Sequence, residues 1–175
     1  NFIATNAMWS VFKGTDEASS LDTAAWRTRS FNDSTWPRNA ATFYYGETIT
    51  GGTVLADMQN SYSTLFLRTP FTVTNAVEIL TLELNAVCDD GFIAWINGTE
   101  VFRYSAPVDE PLFNSLASTN AVPDPAIFNR WTLPSPTPYL VTGTNILAVQ
   151  VFNVSLGSSD LVFDAELIAT PKERA

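Results

Sequence analysis

Short apolar or alternating runs, set apart by Pro, Gly, Asn and Ser, follow one another along this chain from Trp9 to Ala169. The segments "STLFLRTPF" (63–71) and "VEILTLELN" (77–85) are too short and too rich in β-formers for helices, so both predict strands. "FIAWI" (92–96) and "EVFRY" (100–104) flank Asn97-Gly98-Thr99. Asn-Gly between β-rich runs is the strongest short-range signal for a hairpin. "FNRWTL" (128–133), "NILAVQVFNV" (145–154) and "LVFDAELIA" (161–169) repeat the period-two pattern. The first third is looser. It offers a short strand over 9–12, then a long connection rich in Asp, Ser and Thr with a helical turn over 21–26 that Ser20 or Asp22 caps, and then "TFYYGE". Eight or nine strands without a sustained helical period predict two packed sheets. The excursion from Pro107 to Pro125 is long for a compact domain, and such excursions commonly carry function.

Composition narrows the setting. A chain of 175 residues is long enough for one domain that hides roughly 70% of its unfolded surface without disulfide staples. Charged residues make up 15% and aromatic residues 13%, the profile of a secreted β-rich protein. The net charge is −9, and the nine basic residues are scattered, so neither nucleic acid nor an anionic membrane is an expected partner. No apolar run is long enough to span a bilayer, and no membrane insertion is expected. The single cysteine, Cys88, lies in an apolar run and reads as a small buried hydrophobe. The absence of histidine closes Ser-His-Asp and Cys-His nucleophiles, His-based zinc sites and a His general base. A first residue Asn1 in place of Met fits a removed secretion signal, so an extracellular or cell-surface location is expected.

Several stretches together, in their order and spacing, carry a resemblance: "WSVFKGTDE", "WRTRSFNDSTWP" followed by "YYG", "LFLRTPFTV", "DDGFIAWINGTEV", and "GTNILAVQVFN" with "SSDLVFDAEL". From about Trp9 to Ala169 the chain resembles the galactose-binding-like jelly-roll domains found as accessory modules in large secreted bacterial proteins and carbohydrate-active enzymes. The resemblance implies an all-β fold, an antiparallel two-sheet jelly-roll β-sandwich over 9–170, with 1–8 as an N-terminal extension and 171–175 as a tail. Two positions depart from the family: Asn32-Asp33 stands where an acidic pair is common, and no His lies near Phe152. The resemblance also implies a structural calcium between the early loop and the last strand, with Asp16, Asp22, Thr23 and Glu166 as its candidate ligands. Calcium takes six to eight oxygens, and extracellular modules bind it with dissociation constants of ~10⁻⁴ to 10⁻³ M. Solvated loop acids explain the same residues. Asp164 and Glu166 share a strand face, two residues apart.

Asp89-Asp90-Gly91 admits two readings. In one extended strand the two aspartates point to opposite faces, whereas a bend at Gly91 brings them together around a cation or a sugar hydroxyl. In the scaffold reading, which the residue pattern favours, one Asp caps the turn and the other pairs with Arg68 or Arg103. A sugar site calls for an exposed aromatic platform with polar neighbours. Trp36, Tyr44, Tyr62 and Tyr104, at loop–strand boundaries, are the candidate rings, with Arg103 and Asp109 as hydrogen-bonding partners near Tyr104. Asn32, Asn97 and Asn153 each head an Asn-X-Ser/Thr sequon at a strand–turn junction, where a glycan can project. The leading expectation is a non-catalytic, extracellular carbohydrate-binding or adhesive module whose partner is a glycan. The alternative is a subunit of an extracellular or cell-surface assembly, in which "NFIATNAM" adds to the sheet edge of another copy. A two-carboxylate glycosidase is third, because neither acidic pair has the facing geometry it requires.

Overall fold

Apolar alternation in the sequence becomes two layers of extended backbone. The computed structural model describes residues 1–121 and 126–173. Its strands are β1 (Met8–Lys13), β2 (Arg38–Ala40), β3 (Phe43–Tyr45), β4 (Thr53–Val54), β5 (Thr64–Val73), β6 (Ile79–Asp89), β7 (Gly91–Ile96), β8 (Thr99–Tyr104), β9 (Asn129–Thr132), β10 (Gly143–Phe152) and β11 (Leu161–Pro171). One sheet has the order β2-β1-β5-β10-β7-β8 and the other β4-β3-β11-β6-β9. Every pairing is antiparallel except β3 with β4. This is the expected all-β jelly-roll sandwich. The strands beyond the expected eight or nine are the short β2, β3 and β4, whose two or three residues are too few for a period to register.

Alternation fixes the layers. Leu65, Leu67, Leu147, Val149 and Val151 of the six-stranded sheet meet Leu82, Leu84, Ala86, Phe163 and Leu167 of the five-stranded sheet in the central core. At roughly 1.5–3 kcal/mol for each fully buried side chain of this size, this layer supplies the main force for folding. At one open side between the sheets, Phe102 and Tyr104 of β8 lie 4.8 and 5.4 Å from the Trp131 ring of β9 and close the core there. The predicted hairpin is present, with Asn97 and Gly98 both at positive φ.

The outer face of the six-stranded sheet is also buried. Phe66, Ile93, Trp95, Ala148 and Phe152 pack beneath Ala18, Trp26, Trp36, Ala106 and Ala117 from the connections before β2 and after β8. Arg68 of β5, only 1% exposed, holds this cover. Its guanidinium donates to the carbonyls of Trp26, Thr28 and Phe31 and to Asp33 Oδ2. The helical turn expected over 21–26 is a 3-10 turn at Ala25–Arg27 without a side-chain cap. Ser19, rather than Ser20, ties it down: the Ser19 hydroxyl donates to Asp22 O and accepts from Trp26 N–H.

Residues 1–7 fold back onto the chain's own sheet. Ile3 bridges Leu167 on the edge of β11, Phe2 stacks on Phe71 at 5.5 Å, and the Asn6 N–H donates to the carboxylate of Asp164. The apolar segment is consumed by the chain's own sheet. Of the long excursion to Pro125, residues 122–125 lie outside the described residues, as do 174 and 175 of the expected tail. No helix of the described residues is long and apolar enough to cross a membrane.

Candidate functional site

Because β3 and β6 both run antiparallel to β11, the end of β3 and the end of β6 meet the start of β11 at one end of the five-stranded sheet. Tyr45 pairs with Leu161, and Asp89 pairs with Val162. Three acids from distant parts of the sequence therefore converge: Glu47 just past β3, Asp89 closing β6, and Asp160 just before β11. Their carboxylate oxygens lie within 4.8 Å of one another. Gly46 permits the approach. It has a φ of +74°, and a Cβ there would stand 2.2 Å from Ser159 O and 2.8 Å from the Asp160 Cα. The negative charge is felt nearby. Burial first, then the neighbouring Asp160, Asp89 and Asp90, push the Tyr45 hydroxyl up. Burial first, then Asp89 and Asp90, push the Cys88 thiol up.

Asp90 plays another part. Its Oδ1 accepts from Ala121 N–H and its Oδ2 from Val154 N–H, each at 2.7 Å. As the scaffold reading expected, one aspartate bonds backbone amides, but they belong to two distant connections and not to the turn at Gly91. The cation pairs expected in that reading are elsewhere: Arg68 is taken by Asp33 at 3.0 Å and Arg103 by Glu100 at 2.8 Å. Asp89 lies beside Glu47 and Asp160. Gly91 lets β7 start against β8, since a Cβ there would meet Ser105 O at 2.2 Å.

Two hollows flank the acidic cluster. The smaller, about 230 Å³, is polar and is lined by Asp89, Asp90, Asn120, Ser158, Ser159 and Asp160, among others. The larger, about 560 Å³, lies on the outer face of the five-stranded sheet. Its apolar floor is Val87, Val162, Ile49 and Ala126, which pack together with the buried Tyr44. Phe128 stands at its side, 44% exposed. Thr42, Thr48 and Glu47 bring hydroxyls and a carboxylate to its rim.

Most of the sequence candidates lie away from this place. Trp36, Tyr44 and Tyr62 are 8%, 8% and 3% exposed, too buried to offer a ring face to a sugar. Trp36 packs on Phe12 and Phe31 in the cover of the six-stranded sheet. The Tyr62 hydroxyl donates to Asp57 Oδ1 at 3.0 Å, and burial and that carboxylate push its pKa up. Tyr44 packs with Val87 and Val162 of the cleft floor without lining the cleft itself. Tyr104 and Arg103 alternate along β8, so the ring turns to the inner side while Arg103 turns outward to Glu100 and to the carbonyls of Pro107 and Asp109. They do not share a surface. The side chain of Asp109 is not drawn to Tyr104 by any contact seen here.

The implied calcium ligands are likewise divided. Asp16, Asp22 and Thr23 belong to the cover of the six-stranded sheet, where Asp16 accepts from Glu17 N–H and Asp22 from Ala24 N–H. Glu166 projects from the outer face of the opposite sheet and accepts from Asn85 and Asn1. The sandwich stands between them. Asp164 does share the Glu166 face, but it is 1% exposed and works as a clasp, accepting from Asn6 N–H, Ala165 N–H and the Thr42 hydroxyl.

Two of the three sequons are closed in the folded chain. Asn97 donates to Tyr139 O and Asn145 Oδ1 and accepts from Ile146 N–H, while Asn153 is 1% exposed and donates to the Tyr45 hydroxyl. A glycan on either amide would break these contacts. Asn32 is exposed and uses only its Oδ1, toward Ser34 N–H. Sequence reasoning missed Glu47 and Asp160 because nothing local links "YYGE" to "SSDL"; only strand pairing does.

No family model matches the chain, and no curated protein matches it. Solved structures do. A β-glucuronidase of an uncultured Clostridium sp. superposes with a TM-score of 0.57 at 12% identity, over 97% of this chain and 29% of that one. The β-glucuronidase of Bifidobacterium dentium complexed with coumarin-3-O-glucuronide gives 0.52 at 13% identity, over 86% of this chain and 20% of that one. A calcium-binding mutant of Bacteroides uniformis β-glucuronidase 2 gives 0.50 at 18% identity, over 91% and 17%. At these identities the likeness is one of fold, and this chain spans less than a third of the length of each enzyme. It is similar to one sandwich-sized part of larger proteins.

Proposed function

We propose that this sandwich is a non-catalytic carbohydrate-binding module that seats a sugar ring in the open cleft on the outer face of the five-stranded sheet. One observation carries the reading: the cleft combines an apolar floor and an exposed Phe128 ring with a rim of hydroxyls and a carboxylate. That is the pairing a pyranose requires, with its C–H face against apolar surface and its hydroxyls against polar groups. The fold likeness to parts of glycoside-cleaving enzymes supports a carbohydrate setting. A non-catalytic role is supported by the acids themselves: among the described residues Glu47 alone lines the cleft, its neighbours Asp89 and Asp160 line the other hollow, and no second carboxylate faces Glu47 across a bond at roughly 5–9.5 Å. Ligand-observed NMR with neutral methyl glycosides tests the site. Binding in the millimolar to micromolar range should fall at least about tenfold in Phe128→Ala. Release of aryl alcohol from aryl glycosides by the purified chain would overturn the non-catalytic part.

The calcium expected from the early loop belongs, in this reading, to Glu47, Asp89 and Asp160. Their donors are all hard carboxylate oxygens, which suit a calcium ion, with carbonyl and water oxygens completing the six to eight it takes. Bound there, the ion would neutralise most of the cluster and fasten the loop after β3 to the start of β11. Calcium at about 100 times its dissociation constant should stabilise the fold by about 2.7 kcal/mol. Thermal melts with calcium and with EDTA check this; Gly46→Ala, which drives the loop off Asp160, should remove the difference. Superimposable melts of the parent protein would sink the cation site.

We also propose an extracellular setting, on the support of the low charged fraction. Detection of the native protein only inside its source cells would overturn that.

A further inference from the structure

We infer that the cleft selects uncharged or cationic glycans and rejects uronic acids, an inference that rests on the sugar seat proposed above. Glu47 stands on the cleft wall, and the carboxylates of Asp89 and Asp160 lie within 4.8 Å of its own. Among the described residues, no lysine or arginine lines either hollow. Five of the nine cations are paired elsewhere: Lys13 to Asp57, Arg27 to Glu110, Arg68 to Asp33, Arg103 to Glu100 and Arg130 to Glu83. A sugar carboxylate on this floor would meet a like charge with no guanidinium to receive it, whereas Arg is the side chain that matches a carboxylate in both geometry and charge. Neutral hydroxyls fare the opposite way, because they donate charge-assisted hydrogen bonds to carboxylates. The preference is that of the metal-free cluster, because calcium held by the three carboxylates would neutralise most of their charge and would itself accept a sugar carboxylate among its six to eight oxygens.

The test is ligand-observed NMR at low salt with EDTA present, on methyl glycosides of glucose, galactose and glucosamine and on the matching methyl glucuronide and galacturonide. The neutral and amino sugars should bind at least about tenfold more tightly than the uronides. Glu47→Gln should narrow that gap, as should about 0.5 M NaCl through screening. Phe128→Ala should weaken all of them. Uronides that bind as tightly as their neutral counterparts, with Phe128→Ala still weakening every ligand, overturn the selectivity and leave the carbohydrate reading intact. Absence of binding by every glycoside, or binding that Phe128→Ala leaves unchanged, overturns the reading and the selectivity together.

Discussion

The two outer faces of this sandwich are built from the same period-two strands and end in opposite states. On the six-stranded sheet the outward positions are large and apolar, Phe66, Ile93, Trp95 and Phe152, and two long connections cross over to bury them. On the five-stranded sheet the outward positions are mostly polar, Asn85, Asp164 and Glu166, with a small apolar patch at Val87 and Val162 that stays open as the cleft floor. A strand pattern thus decides not only which side faces the core but whether the other side demands a cover. A covered face spends its aromatic residues on stability; an uncovered one keeps a surface that a ligand can reach.

The comparison breaks most visibly at Arg68. Arg68→Ala removes the donors that hold three carbonyls and Asp33, and should cost about 3–5 kcal/mol in urea unfolding, because the acceptors stay buried without partners. A loss below about 1 kcal/mol would mean that the cover does not depend on this cation. Next is the sequon pair. Asn97→Ala should cost about 1–3 kcal/mol through its three lost hydrogen bonds, while Asn32→Ala, on the exposed rim of the cover, should stay within about 0.5 kcal/mol. If a eukaryotic host glycosylates the chain, mass spectrometry should find the glycan at Asn32 alone.

The five-stranded sheet carries a pH signature where residues 1–7 and Thr42 cover its outer face. Burial raises the Asp164 carboxyl above its ordinary range, against the lowering from Asn6 N–H, Ala165 N–H and the Thr42 hydroxyl. A raised folded pKa means stability that is fully present below the unfolded pKa and lost as pH rises through the folded one. The parent should therefore gain on Asp164→Asn as pH falls from 7 toward 4. Asp57 runs the other way. The Lys13 ammonium holds its carboxyl low, so its contribution is present above the unfolded pKa and lost as pH falls through the folded one. Stability curves of Asp164→Asn and Asp57→Asn that slope alike with pH would contradict both assignments. Smallest in stability is Phe128→Ala, within about 0.5 kcal/mol for an exposed ring, so that lost sugar binding in that variant reports on the site and not on folding.

Much of the framework was legible in the chain. The runs at 63–71, 92–96, 145–154 and 161–169 each lie within or largely overlap β5, β7, β10 and β11, and Asn97-Gly98 announced its hairpin, because these signals are local. The roles of Trp36 and Tyr62 were not legible, since a ring at a loop–strand boundary looks the same in sequence whether the loop folds back over it or leaves it bare. Nor was the acidic cluster, whose members are 42 and 71 residues apart along the chain from Glu47 to Asp89 and from Asp89 to Asp160.

What the amino-acid sequence determined by itself is the sandwich: alternation of apolar residues buries one side of every long strand, and that requirement is met within a few neighbouring residues. What only the tertiary structure decided is where the charges gather and which outer face stays open. Those depend on antiparallel register between β3, β6 and β11, and on whether a distant connection crosses a sheet, and neither is written into any short stretch of chain.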